Sequence, residues 1–455
     1  MIKLLRKIWN NRSGNAIVIA GAMLPLVIGC AGLATDTIQW TLWKRQLQRA
    51  ADSAAIAGAY DRQGSSGATT NTSTAVAHDL ALNLHMVPSL LSGYPQLAYP
   101  ANSGVSTNQV NVMLAVQQSL PFSGMFMTVA PTIRAVATAA TVPGAGDACV
   151  QALETNASNT GIAFNGNASI YMPDCDGFSN SPSTNTSFAK GSSDVTMDSI
   201  GGVGGIQQSN NFHVNSYRPY SPALVDPFLG VVPQSSDMAC NATTITSGNS
   251  ANGNGNGATT TSSTGPVALS DSTVLPYVDS AGKMINCFSS LSVGSNRTLT
   301  LPDGIYYINA GDANIQGNLS CNSCTIVLTN SSSSNTATIG QLKVNASSQI
   351  NVTAPTTGTY AGIAFYQDRR AVDSNANVNK INGNSNSVIT GAIYFPNQQL
   401  EYNGTGNTTA VCTMFVARRV VFTGNSSTSN KFKSLDDCAL AGLPKNTILM
   451  VRLIA

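Results

Sequence analysis

The cysteines carry the clearest chemical pattern in the sequence. Cys321 and Cys324 form a C-x-x-C pair, a spacing found in half zinc sites, in redox centres and in tight disulfides. A zinc site would need a second such pair or a pair of histidines, which the sequence lacks, so we predict a structural disulfide. Cys30 lies in an apolar segment, and the other cysteines are even in number. The disulfide candidates are Cys149, Cys175, Cys240, Cys287, Cys321, Cys324, Cys412 and Cys438.

The pairing of these cysteines is only partly indicated. Joining neighbours in sequence is one solution among many. It is favoured for Cys149 with Cys175, because that bridge would close a stretch around a candidate hairpin. The other neighbour pairs stay open, namely Cys240 with Cys287 and Cys412 with Cys438.

An arginine beside an acid is the next pattern that could support chemistry. Asp368, Arg369 and Arg370 follow a predicted strand, and β-helix polysaccharide lyases use an arginine as base next to acid-bound calcium. That comparison is an analogy of fold, and the acids of this region are scattered along the sequence. We therefore expect a solvated turn. We expect no catalytic, cofactor-binding or metal-binding residues, and we do not expect an enzyme.

A second arginine pair, Arg418 and Arg419, lies inside a predicted strand. Side chains alternate between the two faces of a strand, so one of the two should point inward. We expect the pair to cap the end of a repetitive domain, or to bind Asp436 or Asp437.

The amino-acid composition limits the class of protein to which this chain can belong. Charged residues make up 10% of the 455 residues, against about 25% in a typical soluble domain. The net charge is +2, which argues against nucleic acid as a partner because phosphate binding needs dense basic clusters. Asn, Ser, Thr and Gly replace the charges, as is typical of exported, strand-rich proteins.

The N-terminus predicts a membrane anchor. A basic tail, residues 1–15, precedes an uncharged run over residues 16–34, which is long enough to cross a bilayer as a helix. We predict a transmembrane helix over residues 16–35, with a cleavable signal peptide as the alternative. The even set of cysteines on the far side favours an oxidising compartment there. We expect a single-pass protein of the bacterial inner membrane with a cytoplasmic N-terminus and a periplasmic or cell-surface C-terminal domain.

Residues 36–60 continue the helical pattern beyond the predicted span. Apolar side chains recur at steps of three and four, while Asp52 lies on another face. The stripe could pack on the protein's own domain or on a partner helix. The helix-packing candidates are Trp40, Trp43, Leu47, Ala50, Asp52, Ala54 and Ala57.

Two strings at this end are shared with a known family. RSGNA at residues 12–16 and LQRAADSAA at residues 47–55, with Asp36 between them, resemble the N-terminal signature of TadE/TadG-like proteins of the Tad (Flp) pilus-assembly system. The resemblance extends over residues 10–142. It implies a pilin-like α+β head at residues 36–142, whose strands would include Val110 and residues 133–139.

One departure from pilin-type subunits matters. Those cut by prepilin peptidase carry a glutamate at the fifth position after the cleavage glycine, where counting from Gly14 reaches Ile19. We therefore expect a retained anchor.

Beyond residue 142 the sequence predicts an all-β region. Short apolar runs alternate with turn residues, and Gly-Asn elements recur at irregular intervals. We predict two parts, residues 143–240 and a β-solenoid-like domain at residues 266–455, separated by a flexible Asn/Gly/Ser/Thr linker or loop at residues 241–265. A right-handed parallel β-helix is preferred, with a β-sandwich or another all-β arrangement as alternatives. Residues 336–353 look like one coil made of three strands.

The resemblance and the anchor together suggest a function. We expect a structural or assembly component of a Tad (Flp) pilus or a related secretion apparatus. Its partners would be the inner membrane and, through the N-terminal helix, other assembly or minor pilin subunits, with cell wall or glycan as a further partner of the β region. The alternative is a membrane-anchored adhesin or glycan-binding protein, and a polysaccharide-active enzyme ranks third.

Overall fold

The computed structural model describes most of the chain as two compact units. One unit is Met1–Pro143 with Met450–Ala455, and the other is Gly144–Leu449. Residues 1–13 of the predicted basic tail lie outside the described residues. The structure describes residues 14–65, 67–83, 89–238, 240, 245–247, 260–261, 266–273, 277–279, 285–374, 376–382, 387–403, 408–410, 412–424, 427–430, 438 and 441–454.

The predicted order of a long apolar N-terminal helix followed by a strand-rich region is confirmed. The helices are α1 (Gly14–Gly64) and α2 (Thr72–Asn83), with short 3-10 helices at Ser123–Met125 and Ser235–Asp237. The strands are β1 (Gln96–Ala98), β2 (Thr107–Gln117), β3 (Thr132–Ala152), β4 (Ile162–Phe164), β5 (Ser169–Ser179), β6 (Ser187–Ala189), β7 (Asp194–Gly202), β8 (Phe212–Arg218), β9 (Ile245–Ser247), β10 (Thr260–Thr261), β11 (Ala268–Ser270), β12 (Tyr277–Asp279), β13 (Cys287–Phe288), β14 (Ser290–Val293), β15 (Thr298–Thr300), β16 (Gly304–Asn309), β17 (Ala313–Ile315), β18 (Asn318–Cys321), β19 (Cys324–Thr329), β20 (Leu342–Val344), β21 (Gln349–Thr353), β22 (Ile363–Gln367), β23 (Val378–Ile381), β24 (Val388–Tyr402), β25 (Thr408–Ala410), β26 (Thr413–Phe422), β27 (Ser427–Asn430) and β28 (Thr447–Ile454).

In the first unit, helices pack on an antiparallel sheet. Strand β2 pairs with β1 on one side and with residues 132–141 of β3 on the other. Its alternate side chains face the helices, and the alanines of α1 let the sheet approach closely. A Cβ on Gly58 would lie 2.9 Å from Val110 Cγ1, so this position needs glycine. The buried core contains Leu47, Ala50, Ala51, Ala54, Ala55, Ala59, Val76, Leu80, Val110, Val112, Leu114, Val116, Ile133, Ala135, Ala137 and Ala139.

Polar side chains of α1 also bind β3 through its backbone. Lys44 Nζ donates to the carbonyl of Arg134, and Gln48 Nε2 donates to the carbonyl of Val136 at 2.9 Å. Strands with unpaired carbonyls attract further strands. The helix therefore both covers a face of this sheet and occupies carbonyls of β3.

The second unit is built from parallel ladders. Most of its strands pair in parallel with a strand that lies further along the chain, and the paired residues include Gly304 with Cys324 and Val327 with Tyr366. The first ladder contains β13, β16, β19, β22, β24 and β26. The second contains β11, β14, β17, β20, β23 and β24, and the third contains β15, β18, β21 and β24.

The ladders differ in what covers them. Strands β19 and β22 of the first ladder are buried along their whole length, whereas β20 and β21 of the other two alternate between buried and more exposed positions. A strand that is buried on both faces must have other parts of the chain packed on each face. The second cover is the segment of residues 219–238, here called the strap.

Side chains of the first ladder hold the strap. Tyr394 Oη donates to Asp226 Oδ2 at 2.8 Å, and Tyr366 Oη donates to the carbonyl of Val231 at 2.7 Å. Phe228 of the strap packs edge-on against the Tyr394 ring at 5.3 Å between centroids. Tyrosine suits this position because its ring is buried while its hydroxyl finds a polar partner.

The order of strands in space differs from their order in the chain. Strand β26, near the C-terminus, pairs with β3 and β4, and β27 pairs with β5. The earliest strands of this unit therefore stack on its latest ones. At this joint Gly424, Gly166 and Gly191 have positive φ, and a Cβ on Gly191 would lie 2.9 Å from the Gly166 carbonyl oxygen.

Two segments of this unit differ from what the sequence predicts. Residues 336–339, expected to be one strand of a three-strand coil, form no strand, although β20 and β21 supply the other two. Within residues 241–265, expected to be a flexible linker or loop, β9 pairs antiparallel with β10 and β12. The other residues of that segment lie outside the described part of the chain.

A buried acid in β5 makes stability depend on pH. Asp176 is fully buried, accepts a hydrogen bond from Ser199 Oγ at 2.5 Å through Oδ1, and has no hydrogen-bond partner at Oδ2. Burial raises the pKa of this carboxyl to about 6, and the Ser199 bond opposes the rise. The native state therefore holds the proton more tightly than the unfolded chain does.

We predict that the free energy of unfolding falls by about 3 kcal/mol as the pH rises from about 4 to about 6, because the raised pKa favours folding only while Asp176 is protonated. Asp176→Asn should remove this fall and raise the melting temperature at pH 7. Thermal unfolding of the detergent-solubilised protein across this pH range measures both effects. Asp174→Asn, at an exposed position two residues away, is the control, and equal pH profiles for both variants would contradict the prediction.

Candidate functional site

The N-terminal part of α1 is uncharged and predominantly apolar up to residue 34. A helix that is hydrophobic all round is stable inside a protein or a membrane. In the described part of the chain, α1 is the helix long and apolar enough to cross a membrane. The exposed large side chains of this stretch are Ile19, Met23, Leu24, Leu26, Val27, Ile28, Leu33, Ile38, Trp40 and Leu42.

The predicted helix-packing residues divide between two environments. Leu47, Ala50 and Ala54 are buried in the first unit's own core. Trp43 is partly buried against that core, Asp52 and Ala57 are half-buried, and Trp40 is exposed. The protein's own sheet therefore occupies the alanine part of the stripe, and the surface left for other molecules is the apolar stretch from residue 19 to residue 42.

Asp36 joins this helix to a loop far away in sequence. Its Oδ1 accepts the backbone N–H of Phe122 at 2.7 Å, and its Oδ2 accepts that of Ser123 at 2.6 Å. The carboxylate is 4% exposed, and it binds N–H groups at the start of a 3-10 turn, where such groups lack backbone partners. Asp36 belongs to the family resemblance, but no pattern in the sequence indicates Phe122 or Ser123 as its partners.

The second unit contains a cluster of charges around Glu154, which is fully buried. Arg418 Nε lies 3.1 Å and Arg419 Nη1 lies 2.8 Å from Glu154 Oε2. Arg419 Nη2 also contacts Asp373 Oδ1 at 2.6 Å. Both arginines reach the same acid because they lie at a corner, where the β24–β26 register shifts and the alternation of side chains is interrupted.

The arginines bind two acids that the sequence did not indicate as partners. Asp436 and Asp437 lie outside the described residues, while Glu154 and Asp373 hold the pair. Burial alone would raise the pKa of Glu154, but hydrogen bonds from Arg418, the Asn156 amide and Arg419 lower it to about 2. Glu154 is thus a carboxylate at any physiological pH.

The turn at residues 368–370 is more buried than the sequence indicated. Asp368 is 5% exposed and pairs with Arg370 at 2.7 Å, so the expectation of a solvated turn is wrong. Arg369 pairs with Asp226 of the strap at 2.8 Å and lies over the Tyr394 ring. The turn contains an acid and two arginines because it holds the strap and the neighbouring strand β19, where Thr329 donates to Asp368.

A cleft of about 320 Å³ lies between these two groups of charges. Its lining offers guanidinium, carboxylate and amide groups to a polar ligand. Yet each of the two lining arginines, Arg369 and Arg418, already contacts a carboxylate. The arrangement is therefore best suited to holding strands together. The lining residues are Leu153, Thr155, Asn180, Asp226, Arg369, Pro396, Asn397 and Arg418.

All eight candidate cysteines form disulfides, each with its neighbour in sequence, and Cys30 is free. Cys240–Cys287 joins the chain just after the strap to β13, and Cys149–Cys175 joins β3 to β5. The remaining bridges are Cys321–Cys324 and Cys412–Cys438.

We predict that Glu154→Gln lowers the free energy of unfolding by about 3 kcal/mol, because it leaves two partly buried arginines with a single carboxylate. The control Glu401→Gln removes an ion pair in which Lys380 is 51% exposed, and it should cost less than about 1 kcal/mol. Denaturant unfolding at pH 7 compares the two.

Acid should reduce the difference between the wild type and Glu154→Gln. The lowered pKa of Glu154 stabilises the fold above pH 4.5, and this contribution is lost as the pH falls from 4.5 towards about 2. A Glu154→Gln cost no larger than that of Glu401→Gln at pH 7 would show that the cluster contributes little to stability.

Comparison with known proteins gave a family match to helix α1. No curated protein and no solved structure matched the chain. Residues 14–61, which form nearly all of α1, match the Tad family model described as "Putative Flp pilus-assembly TadE/G-like". The TadE/TadG-like resemblance is thereby confirmed over residues 14–61, and this segment is similar to the Tad pilus-assembly family.

Proposed function

We propose that this protein is a membrane-anchored, extracytoplasmic structural component of a Tad (Flp) pilus or a related secretion apparatus. The single observation that carries the proposal is that the family match covers α1, the helix whose apolar side chains are exposed from residue 19 to residue 42. Neighbouring subunits or lipid would cover that stretch, while the C-terminal part of α1 packs on the antiparallel sheet of the first unit.

The disulfides support an extracytoplasmic position for the second unit. Disulfides persist in oxidising compartments and are rare in the cytosol, and the described bridges all lie after residue 143. Lys3, Arg6 and Lys7 precede the apolar stretch, which favours a cytoplasmic N-terminus. The inner membrane of a bacterium and its periplasmic or surface side fit both features.

We further infer that the second unit is a parallel β-helix. Its strands pair in parallel along three ladders, and β24 contributes to all of them in succession. Connections between parallel strands are right-handed in nearly all proteins, so the helix would be right-handed. A β-sandwich is built from antiparallel sheets, which is a poor match to these ladders.

This architecture suggests a structural and not an enzymatic role. The arginines of the second unit that lie near acids are held in ion pairs between strands, and the surface positions of β20 and β21 carry lysine, glutamine and asparagine. Such a unit would act as a structural module of the anchored protein.

We predict that deletion of the gene abolishes surface pili, and that the full chain restores them. A chain truncated after Pro143 should restore pili as well, since it retains α1 and the residues that form its packed core. Electron microscopy and a shear assay for surface pilin give the readout. Persistence of normal pili in the deletion strain would overturn the assembly role.

A second function, binding of an acidic or polar glycan, is favoured by one observation. The cleft beside Arg369 and Arg418 combines charge with the amides of Asn180 and Asn397, a mixture that could orient sugar hydroxyl and carboxylate groups. In this role the TadE/TadG-like segment would serve as the anchor of an adhesin.

We predict for this alternative that Thr155→Tyr, which fills the cleft from an exposed position, lowers attachment of piliated cells to a glycan-coated surface about tenfold. Thr357→Tyr, at another exposed threonine of the same unit, is the control. Equal attachment of both strains would exclude the cleft as the binding site.

A further inference from the structure

An uncharged loop in the first unit exposes large apolar side chains. It connects β2 to β3, and we call residues 121–129 the apolar loop. The exposed fractions are 78% for Met125, 74% for Phe126, 50% for Met127 and 64% for Val129. Contiguous exposed apolar surface of this kind marks an interaction site in a water-facing protein.

The apolar loop is fixed to α1 at one level of the helix. The ring of Phe122 packs on Gly32 so closely that a Cβ there would lie 2.3 Å from the ring. One turn further along, Asp36 binds the backbone N–H groups of Phe122 and Ser123. The loop therefore cannot slide along the helix, and the positions of its exposed side chains are set by residues 32–36.

Gly32 and Asp36, which hold the loop, lie at the C-terminal end of the uncharged run of α1. The run over residues 16–34 includes Gly32, and at about 1.5 Å per residue Gly32 lies about 3 Å inside its end. Trp40 follows at about 6 Å beyond Asp36, at the depth where an aromatic side chain with one polar group is favoured in a membrane interface.

The chemistry of the loop suits lipid better than water. No Asp, Glu, Lys or Arg occurs from Leu120 to Pro131. The backbone N–H groups of Met125, Phe126 and Met127 are already bonded, to Phe122 and Ser123 carbonyls. Satisfied backbone groups remove the main cost of placing a loop among acyl chains, and both oxygens of Asp36 are likewise occupied.

We propose that the apolar loop inserts into the bilayer surface next to α1, so that the first unit is attached to the membrane at two places. The occupant of this surface is the lipid of the leaflet that faces the head. The proposal rests on the membrane anchor of the proposed function. Two attachment points would fix the tilt of the head, whereas a single helix would let it swing.

The test measures the depth of three positions in the full-length protein. A Cys30→Ser background leaves the disulfides intact, and single cysteines replace Met125, Leu26 or Val105. Leu26 belongs to the anchor, and Val105 is an apolar side chain in the turn before β2, 66% exposed like Leu26. Each is labelled with an environment-sensitive fluorophore and reconstituted into phosphatidylethanolamine and phosphatidylglycerol vesicles.

We expect a spin-labelled lipid to quench the label at position 125 about threefold more than the label at position 105, with the opposite order for aqueous iodide. Phe126→Ser with Met127→Ser should reduce the lipid quenching at position 125 and leave that at position 26 unchanged.

The outcomes separate this proposal from the anchor. Quenching at position 26 with none at position 125 would overturn loop insertion and leave the anchor standing. Absence of lipid quenching at position 26 would overturn the anchor itself. A label at position 125 that is shielded from iodide and from lipid alike would assign the loop to a protein contact and overturn the lipid assignment.

Discussion

The function proposed here depends on the division of α1 into two apolar regions with different partners. Between Ile19 and Leu42 the large apolar side chains are exposed; from Leu47 onward the buried side chains are mostly alanines packed against β2 and β3. Small side chains let a sheet approach a helix closely, while large ones suit lipid. Asp36 lies in the later part of the first region, and its carboxylate gives the β2–β3 loop a fixed place there.

In the second unit, the strands that come first in the chain stack on those that come last. Ladder hydrogen bonds join each strand to its spatial neighbour, but the chain must then return along the unit as the strap. The strap itself makes hardly any strand-to-strand hydrogen bonds. Its attachment rests instead on tyrosine hydroxyls, the Asp226–Arg369 ion pair and the Cys240–Cys287 bridge.

The sequence allowed a prediction of the parts that depend on local pattern. The helical period over residues 36–60 predicted the continuation of α1, and runs such as Ile162–Phe164 became strands. Partners distant in sequence were missed, since nothing near Arg418 points to Glu154, 264 residues away. Residues 336–339 look like a strand by composition, but their Ser and Thr neighbours bond locally, as Ser334 with Thr336 does, and such bonds compete with ladder pairing.

The scarcity of charge explains where the charges that remain are placed. With 10% charged residues, the surface relies on amides and hydroxyls, and parallel strands supply most of the cohesion between neighbours. Ladders cannot join segments that do not run side by side, such as the strap and the turn at Arg369, and the ladder between β3 and β26 ends at Ala152, two residues before Glu154. Ion pairs lie at these two joints, and because Glu154 is fully buried, breaking one of them exposes an unbalanced charge to a low-dielectric interior. A chain with few charges can therefore still depend strongly on a small number of them.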